Sequence, residues 1–132
     1  EFIYLSSLNM EIFKEFRFEA AHYLPNVPKE HKCRNMHGHA YRVVIYLSGE
    51  VGKSTGWVVD FTEIKDAFTP VLTTLDHQVL NKIKGLENPT VENLTVWIWE
   101  KLFLLVPQLT KITVYETETS GCTYTGVLNT SK

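Results

Sequence analysis

Residues 31–49 read HKCRNMHGHAYRVVIYLSG, a stretch that joins a dense group of reactive side chains to a strongly alternating apolar pattern. Three of the chain's five histidines and one of its two cysteines fall within the nine positions 31–39. From His39 onward the side chains alternate, and those at positions 41, 43, 45 and 47 are apolar or aromatic, which is the period of a strand that buries one face. The stretch therefore predicts a β-strand over residues 39–49 that begins at a metal site, at a reactive thiol, or at both.

We interpret three other segments as strands, two of them from the same two-residue period and the last from the turn before it. In residues 12–22 one face is apolar, with Lys14 as the one misfit, as far as its last member, which is a histidine. Residues 111–118 alternate in the same way, and after a turn-forming Ser-Gly pair residues 122–127 predict a last short strand. Strands with one buried and one solvated face are typical of antiparallel sheets. The sequence therefore predicts a four-stranded antiparallel sheet.

Two segments with a helical period separate the strand pairs. Asp60 is a candidate N-cap with Glu63 three residues later, and apolar residues at helical spacing follow as far as position 75. Pro70 lies within this pattern and predicts a kink or a break there. Thr90 is the candidate N-cap of a second helix that ends near Pro107. Two helices on one face of the sheet give an α+β layered fold, whose open strand edges favour pairing with another subunit.

Length and charge limit the classes of protein that the chain fits. Its 132 residues predict a single domain, which we place at residues 10–132, after a vector-derived extension over residues 1–9. The net charge of −2 provides no basic surface for nucleic acid, and no apolar run reaches the ~20 residues of a membrane span. Two cysteines without a recognisable signal peptide favour a cytoplasmic protein with free thiols. We expect no nucleic-acid partner and no membrane partner.

The densest candidate site is the His-Gly-His sequence at positions 37–39. Side chains two positions apart in a strand point to the same side, so His37 and His39 can reach one ion. His22, at the end of the first strand, supplies a third nitrogen if the two strands are neighbours. Three neutral imidazoles suit Zn²⁺ and leave one coordination position open, which is the pattern of a catalytic metal. The alternative is that His22 and His39 are hydrogen-bonded core residues.

A thiol lies four residues before this histidine pair. Cys33 stands between Lys32 and Arg34, and neighbouring positive charge favours the thiolate. Such a thiol can act as a general base or as a nucleophile. The alternative is that Cys33 is a fourth zinc ligand, which would close the site, and the spacing alone leaves both interpretations open.

Two carboxylates complete the set of candidate residues. Asp76 and His77 adjoin one another at a predicted helix end, either as a catalytic pair in which the carboxylate orients the imidazole or as a solvated helix terminus. Glu116 follows Ile112 and Val114 on the face that should be buried. A heterocycle with two adjacent N–H donors would satisfy both oxygens of that carboxylate, and the alternative is a surface position at the strand end.

The order of these motifs along the chain is that of a known enzyme family. FEAAH, C-x-x-x-H-G-H-x-Y, GWVVDF, LDH, NPTVEN and YET occur in this order within residues 11–126, nearly the whole chain. In these motifs the chain resembles the 6-pyruvoyl-tetrahydropterin synthase family, and most closely its 6-carboxy-tetrahydropterin synthase branch of queuosine biosynthesis. The short spacing between Cys33 and His37 favours that branch over the pyruvoyl enzymes.

The resemblance implies a T-fold whose subunits join their sheets into a barrel, as a homohexamer of two trimers. It implies a zinc-dependent lyase that converts 7,8-dihydroneopterin triphosphate to 6-carboxy-5,6,7,8-tetrahydropterin, acetaldehyde and triphosphate. The residues that match the family's motifs are His22, His37 and His39 for zinc, Cys33, Asp76 and His77 for catalysis, and Glu116 for the pterin ring. Lys32 and Arg34 are candidates for binding the triphosphate on charge and position alone. Two alternatives stay open: a pyruvoyl synthase acting on the same substrate, and a non-catalytic pterin- or zinc-binding oligomer.

Overall fold

The computed structural model of the chain describes residues 8–127, which form a five-stranded sheet and two α-helices. The strands are β1 (Asn9–His22), β2 (His37–Glu50), β3 (Gln78–Val79), β4 (Leu109–Tyr115) and β5 (Gly121–Tyr124), and the helices are α1 (Phe61–Leu75) and α2 (Val91–Leu102). The order of elements is the one that the periods of the sequence predict, apart from β3. The α+β class is therefore confirmed.

The strand order in the sheet is β3-β1-β2-β4-β5. Every neighbouring pair is antiparallel except that β3 runs parallel to β1, where it pairs with Ala20 and Ala21. The prediction of four strands is thus wrong by one strand. A two-residue strand is too short to show a period of its own, and β3 forms because the chain that leaves α1 passes alongside β1.

One long hairpin positions the histidines. β1 and β2 contribute 14 residues each, and their pairing runs without a shift until His22 lies opposite His37. A slip of one residue would move a whole set of side chains to the other face of the sheet, so the buried face determines the register. Phe18 and Tyr41 lie on that face, both buried, and stack across the two strands with 4.9 Å between ring centroids.

Both helices pack into the core that these aromatic residues belong to. Asp60 caps α1 by accepting from the N–H of Thr62 at 2.9 Å, and Thr90 caps α2 by accepting from Asn93 at 3.1 Å, so both predicted N-caps are confirmed. α1 is one continuous helix through Pro70, so a break there is wrong and a kink stays a prediction. Its buried residues lie on both sides of the proline, and their packing outweighs the hydrogen bond that the proline removes.

The ends of the described segment bear on the predicted domain boundary. Of the extension predicted over residues 1–9, residues 1–7 lie outside the described part of the chain. The Leu8 carbonyl accepts from the Val51 N–H at 3.0 Å, and Asn9 is the first residue of β1, so the boundary predicted at residue 10 falls one residue inside that strand. Neither α-helix within residues 8–127 is long and apolar enough to cross a membrane.

Candidate metal centre and active site

Three histidine side chains converge at one end of the β1–β2 hairpin. His22 is the last residue of β1, and His37 and His39 lie at the start of β2. One ring nitrogen of each lies within 4.8 Å of the others, and the Nε2 atoms of His22 and His37 are 3.1 Å apart. Among residues 8–127, this is the one group of three or more His, Cys, Asp or Glu side chains close enough to hold a metal ion.

Main-chain carbonyl groups orient two of these rings. The Nδ1 atom of His22 is 2.8 Å from the carbonyl oxygen of Pro89, and the Nδ1 atom of His37 is 2.7 Å from that of Asn35. A carbonyl oxygen can only accept, so Nδ1 carries the proton in each ring and donates it. The lone pair of each Nε2 is then free to bind a cation, which is the usual arrangement of a metal-binding histidine.

Burial keeps two of these imidazoles neutral. His22 is 1% exposed, and burial lowers the pKa of His22 and, at its less buried position, the pKa of His39. The neutral ring is the form that binds a metal. Three converging nitrogens suit a zinc ion, which binds nitrogen ligands tetrahedrally and keeps one position open in catalytic sites. The group fits the metal that the sequence predicts.

Glu116 extends its carboxylate towards the same centre. The residue lies one position beyond the end of β4, where its N–H donates to the Ser120 carbonyl at 2.9 Å. Its Oε2 atom is 3.8 Å from Nε2 of His22 and 3.8 Å from Nε2 of His39. The half-buried side chain thus points inward, as the sequence predicts, but it points towards the histidines.

Cys33 lies in the loop that joins β1 to β2, in the middle of a 3-10 turn at Lys32–Arg34. Its N–H donates to Nδ1 of His31 at 3.1 Å, and its carbonyl accepts from the Leu24 N–H at 2.8 Å. The half-buried thiol does not belong to the histidine group that could hold a metal. This arrangement gives no support to the alternative in which Cys33 is the fourth ligand.

The two cations beside Cys33 differ in their surroundings. Lys32 is exposed, whereas Arg34 is half-buried and donates a guanidinium N–H to the Val27 carbonyl at 2.8 Å. Arg34 therefore holds the loop together. Of the two candidates for binding the triphosphate, Lys32 is the one turned to solvent.

Asp76 and His77 form a pair directly after α1. The Nδ1 atom of His77 is 3.1 Å from Oδ1 of Asp76, and His77 has a φ of 60°, a left-handed conformation that is uncommon outside glycine. Two hydrogen bonds with Glu19 hold the turn: its N–H donates to Oδ1 of Asp76 at 3.0 Å, and its carbonyl accepts from the His77 N–H at 2.6 Å. The first of these bonds lowers the pKa of Asp76, which keeps the carboxylate ionised beside the imidazole.

This pair lies at the exposed edge of the sheet and does not meet Cys33. The His77 side chain is 76% exposed and lines, with Asp76 and Arg42, a cavity of about 680 Å³. It also lines a cavity of about 550 Å³ that includes His39. Cys33 lines neither cavity, and among residues 8–127 no hydrogen bond joins its thiol to the pair. Within residues 8–127 of one chain, neither a hydrogen bond nor either of these cavities links the thiol to the Asp76–His77 pair.

Comparison with known proteins establishes the family. The sequence model of the family described as 6-pyruvoyl tetrahydropterin synthase matches residues 11–127. The chain belongs to this family. It is 44% identical over 119 residues to the 6-carboxy-5,6,7,8-tetrahydropterin synthase of Synechocystis sp., which covers 86% of this chain and 91% of that protein. The family resemblance read from the motifs is confirmed, and the chain is an enzyme of the tetrahydropterin synthase type.

Other members of the family differ in the reaction for which they are named. The dihydroneopterin monophosphate aldolase of Pyrococcus furiosus is 34% identical over 102 residues, covering 75% of this chain and 82% of that protein. The solved structure of Caenorhabditis elegans 6-pyruvoyl tetrahydropterin synthase matches with a TM-score of 0.85 and 30% identity, over 91% of this chain and 97% of that one. The T-fold is therefore confirmed for this synthase.

Some residues of the synthase site were not predicted from the sequence. The carbonyl groups of Pro89 and Asn35 hold ring protons, and every residue has a carbonyl, so residue type gives no signal for them. The hydroxyl of Tyr41 lies 3.4 Å from Nδ1 of His22. Pro89 falls within the NPTVEN motif of the synthase family, and that motif is the one available signal for its role.

Proposed function

We propose that this tetrahydropterin synthase is a zinc-dependent, cytoplasmic lyase of queuosine biosynthesis. Its reaction would convert 7,8-dihydroneopterin triphosphate to 6-carboxy-5,6,7,8-tetrahydropterin, acetaldehyde and triphosphate. The observation that carries the proposal is the meeting of three imidazole nitrogens and one carboxylate at the end of the hairpin. The 44% identity with the Synechocystis 6-carboxy-tetrahydropterin synthase supports the carboxy product.

The metal site is proposed to consist of His22, His37 and His39, acting through Nε2. When bound, the zinc ion would supply Lewis-acid polarisation to the hydroxyl groups of the substrate side chain. The chain's own contribution is to favour the neutral form of His22 and His39 and to aim the imidazoles at one point. Burial lowers the pKa of His22 and His39, and the carbonyl groups of Pro89 and Asn35 orient the rings of His22 and His37.

The substrate's two ends are proposed to bind to different residues. Glu116 would hold the pterin ring, whose 2-amino group and adjacent N–H can donate two parallel hydrogen bonds to one carboxylate. Lys32, with Arg34 behind it, would meet the triphosphate, since both lie in the loop beside the histidines. Between these two ends the triphosphate leaves and, with uptake of one water molecule, the side-chain carbon–carbon bond breaks. Both steps need a base that moves protons at the side-chain carbon atoms.

We infer that Cys33 is this base and that it works with the Asp76–His77 pair of a neighbouring subunit. The sulfur Sγ would accept a proton from a side-chain carbon, and the His77 imidazole, oriented by Asp76, would carry a proton to or from the substrate. The support is the exposure of the pair, together with the finding that among residues 8–127 no hydrogen bond joins it to the Cys33 thiol and that Cys33 does not line the cavities beside it. A partner subunit would bring the two together.

The sheet provides the edges for such an assembly. β5 lies at one edge, and at the other β3 covers only Ala20 and Ala21 of β1, so most of β1 has no partner on that side within residues 8–127. Open edges favour pairing between subunits, and sheets joined in a ring close a barrel. The proposed assembly is a homohexamer of two trimers.

The shared site can be tested by mixing inactive variants. Cys33→Ala and His77→Asn are each expected to be inactive alone; Asn is chosen because it tolerates the left-handed conformation. Co-assembled in equal amounts, they should regain about a quarter of wild-type activity, since random assembly leaves one interface in four with both residues intact. A mixture as inactive as its components would contradict the shared site.

The reaction itself is tested by product analysis with 7,8-dihydroneopterin triphosphate. We expect one acetaldehyde for each 6-carboxy-tetrahydropterin. A pterin product without acetaldehyde would favour the pyruvoyl reaction, and tight binding without turnover would favour a non-catalytic oligomer. Dihydroneopterin monophosphate belongs in the same assay, because the Pyrococcus relative is named for it. Metal-stripped protein is the matched control.

A further inference from the structure

The carboxylate of Glu116 lies beside two of the three histidine side chains that could hold a metal ion. Around a tetrahedral zinc ion with bonds of about 2.0–2.2 Å, neighbouring ligand atoms are roughly 3.3–3.6 Å apart. The Nε2 atoms of His22 and His37 are 3.1 Å apart, and Oε2 of Glu116 is 3.8 Å from the Nε2 atoms of His22 and His39. Oε2 is therefore slightly farther from these two nitrogens than ligands of one ion are from each other, and Glu116 as it stands is not a member of the group that could hold an ion. A rotation of its side chain would bring the oxygen to the fourth position.

A pterin that binds in the proposed manner needs this carboxylate in another place. The 2-amino group and the N3–H of a pterin lie at the end of the bicyclic ring opposite C6, which bears the side chain. If the side-chain hydroxyls lie at the histidines, the whole ring separates the anchoring carboxylate from them. The 3.8 Å distances from Oε2 of Glu116 to the imidazole nitrogens leave no room for a ring in between.

We propose that the Glu116 carboxylate alternates between the metal and the pterin ring, an inference that rests on the proposed function. Without substrate it fills the position that the three histidines leave open. The arriving ring draws it away and opens that position for the side-chain hydroxyls. The main chain stays in place, because the N–H groups of Glu116 and Thr117 both donate to the Ser120 carbonyl, at 2.9 and 3.2 Å. The movement is a rotation of the side chain alone.

The exchange couples recognition of the ring to access to the metal. A ring that removes a metal ligand weakens metal binding, and by linkage the metal weakens binding of that ring by the same factor. In the substrate, hydroxyl groups on the side chain at C6 would take the position that Glu116 vacates and so offset this loss of affinity. Unsubstituted pterin is the probe that isolates the exchange, because it has both N–H donors but no side chain at C6.

The test uses cobalt(II)-substituted protein, whose visible absorption reports on its ligands, and neutral imidazole as the probe of an open position. We expect Glu116→Gln to bind imidazole about tenfold or more tightly than wild type, the scale on which a group beside a metal changes site affinity. Glu118→Gln removes the same charge from an exposed position two residues on and should match wild type. Saturating pterin should raise the wild-type affinity towards that of Glu116→Gln and leave that variant unchanged.

Three results would overturn the inference. Equal imidazole affinities for wild type and Glu116→Gln would show that the carboxylate does not occupy the open position of the metal. Pterin fluorescence reports whether the ring binds the wild-type protein. If pterin binds but the imidazole affinity does not rise, the carboxylate does not exchange between the metal and the ring. Pterin that does not bind would remove the ring-anchoring role and the exchange with it. Cobalt results as expected, together with no turnover of dihydroneopterin triphosphate, would instead refute the proposed function and leave the exchange standing.

Discussion

The histidine cluster and the Asp76–His77 pair are held in place by different kinds of local structure. The histidines end a 14-residue hairpin, and main-chain carbonyls hold the ring protons of His22 and His37. The pair lies on an exposed turn that contains a left-handed residue. The three histidines meet within one chain, whereas among residues 8–127 no hydrogen bond joins a thiol to the pair. We therefore expect metal binding to be a property of the single chain and proton transfer to be a property of the assembly.

Replacing a histidine of the cluster should have the largest effect. In His37→Ala the site loses the nitrogen 3.1 Å from that of His22, and zinc affinity should fall by more than ~100-fold, beyond the range of outer-shell changes. Nearly all activity should be lost with it. His31→Ala, which removes a histidine outside the cluster, should keep one zinc per chain. Zinc content after gel filtration is the measurement, and full occupancy in His37→Ala would contradict the site.

Cys33→Ala separates the two groups most sharply. Because the thiol does not belong to the histidine group, this variant should keep its zinc while turnover falls by ~10²-fold or more, the usual scale of general acid–base catalysis. Zinc content and the rate of acetaldehyde release are measured on one preparation. If zinc were lost, Cys33 would be a ligand and the contrast between the two groups would disappear.

Asp76→Asn tests whether the Asp76 carboxylate stabilises the fold, through the pH dependence of the protein's stability. The hydrogen bond from Glu19 lowers the pKa of Asp76 below its usual value of 3.8, so the ionised carboxylate stabilises the fold above that pH. This contribution is lost as the pH falls through the folded-state pKa. Stability should therefore decline more steeply on acidification in the wild type than in Asp76→Asn. The measurement is the urea unfolding midpoint of the two metal-free proteins at a series of pH values below neutral. If the midpoints of both proteins fell with pH in parallel, the prediction would be wrong.

The smallest effect is expected from Tyr41→Phe. The hydroxyl lies 3.4 Å from Nδ1 of His22, but the Pro89 carbonyl lies closer, at 2.8 Å, and already accepts the ring proton. Zinc affinity should change by less than ~10-fold, the lower end of outer-shell effects. A chelator competition titration measures it. A larger loss would show that the hydroxyl, and not the carbonyl, orients the ring.

Local patterns account for most of the fold. The two-residue periods predict β1, β2 and β4, because one face of each of these strands is buried, and the Ser-Gly turn predicts the short, partly exposed β5. The N-caps at Asp60 and Thr90 follow from side chains that bond to their own helix. The same reasoning fails at Pro70, where core packing outweighs a local penalty, and at β3, which depends on a neighbouring strand and has no pattern of its own.

The residues of the candidate site divide in the same way. His37 and His39 are predicted to act together because two positions along a strand bring side chains to one side, a rule that needs no knowledge of the rest of the chain. Their meeting with Glu116 and the separation of Cys33 from Asp76 depend on contacts between distant segments. So do the carbonyl partners of the imidazole rings. Residue types reveal chemistry, but main-chain groups are alike in every residue, and only the packed chain decides which of them reach the site.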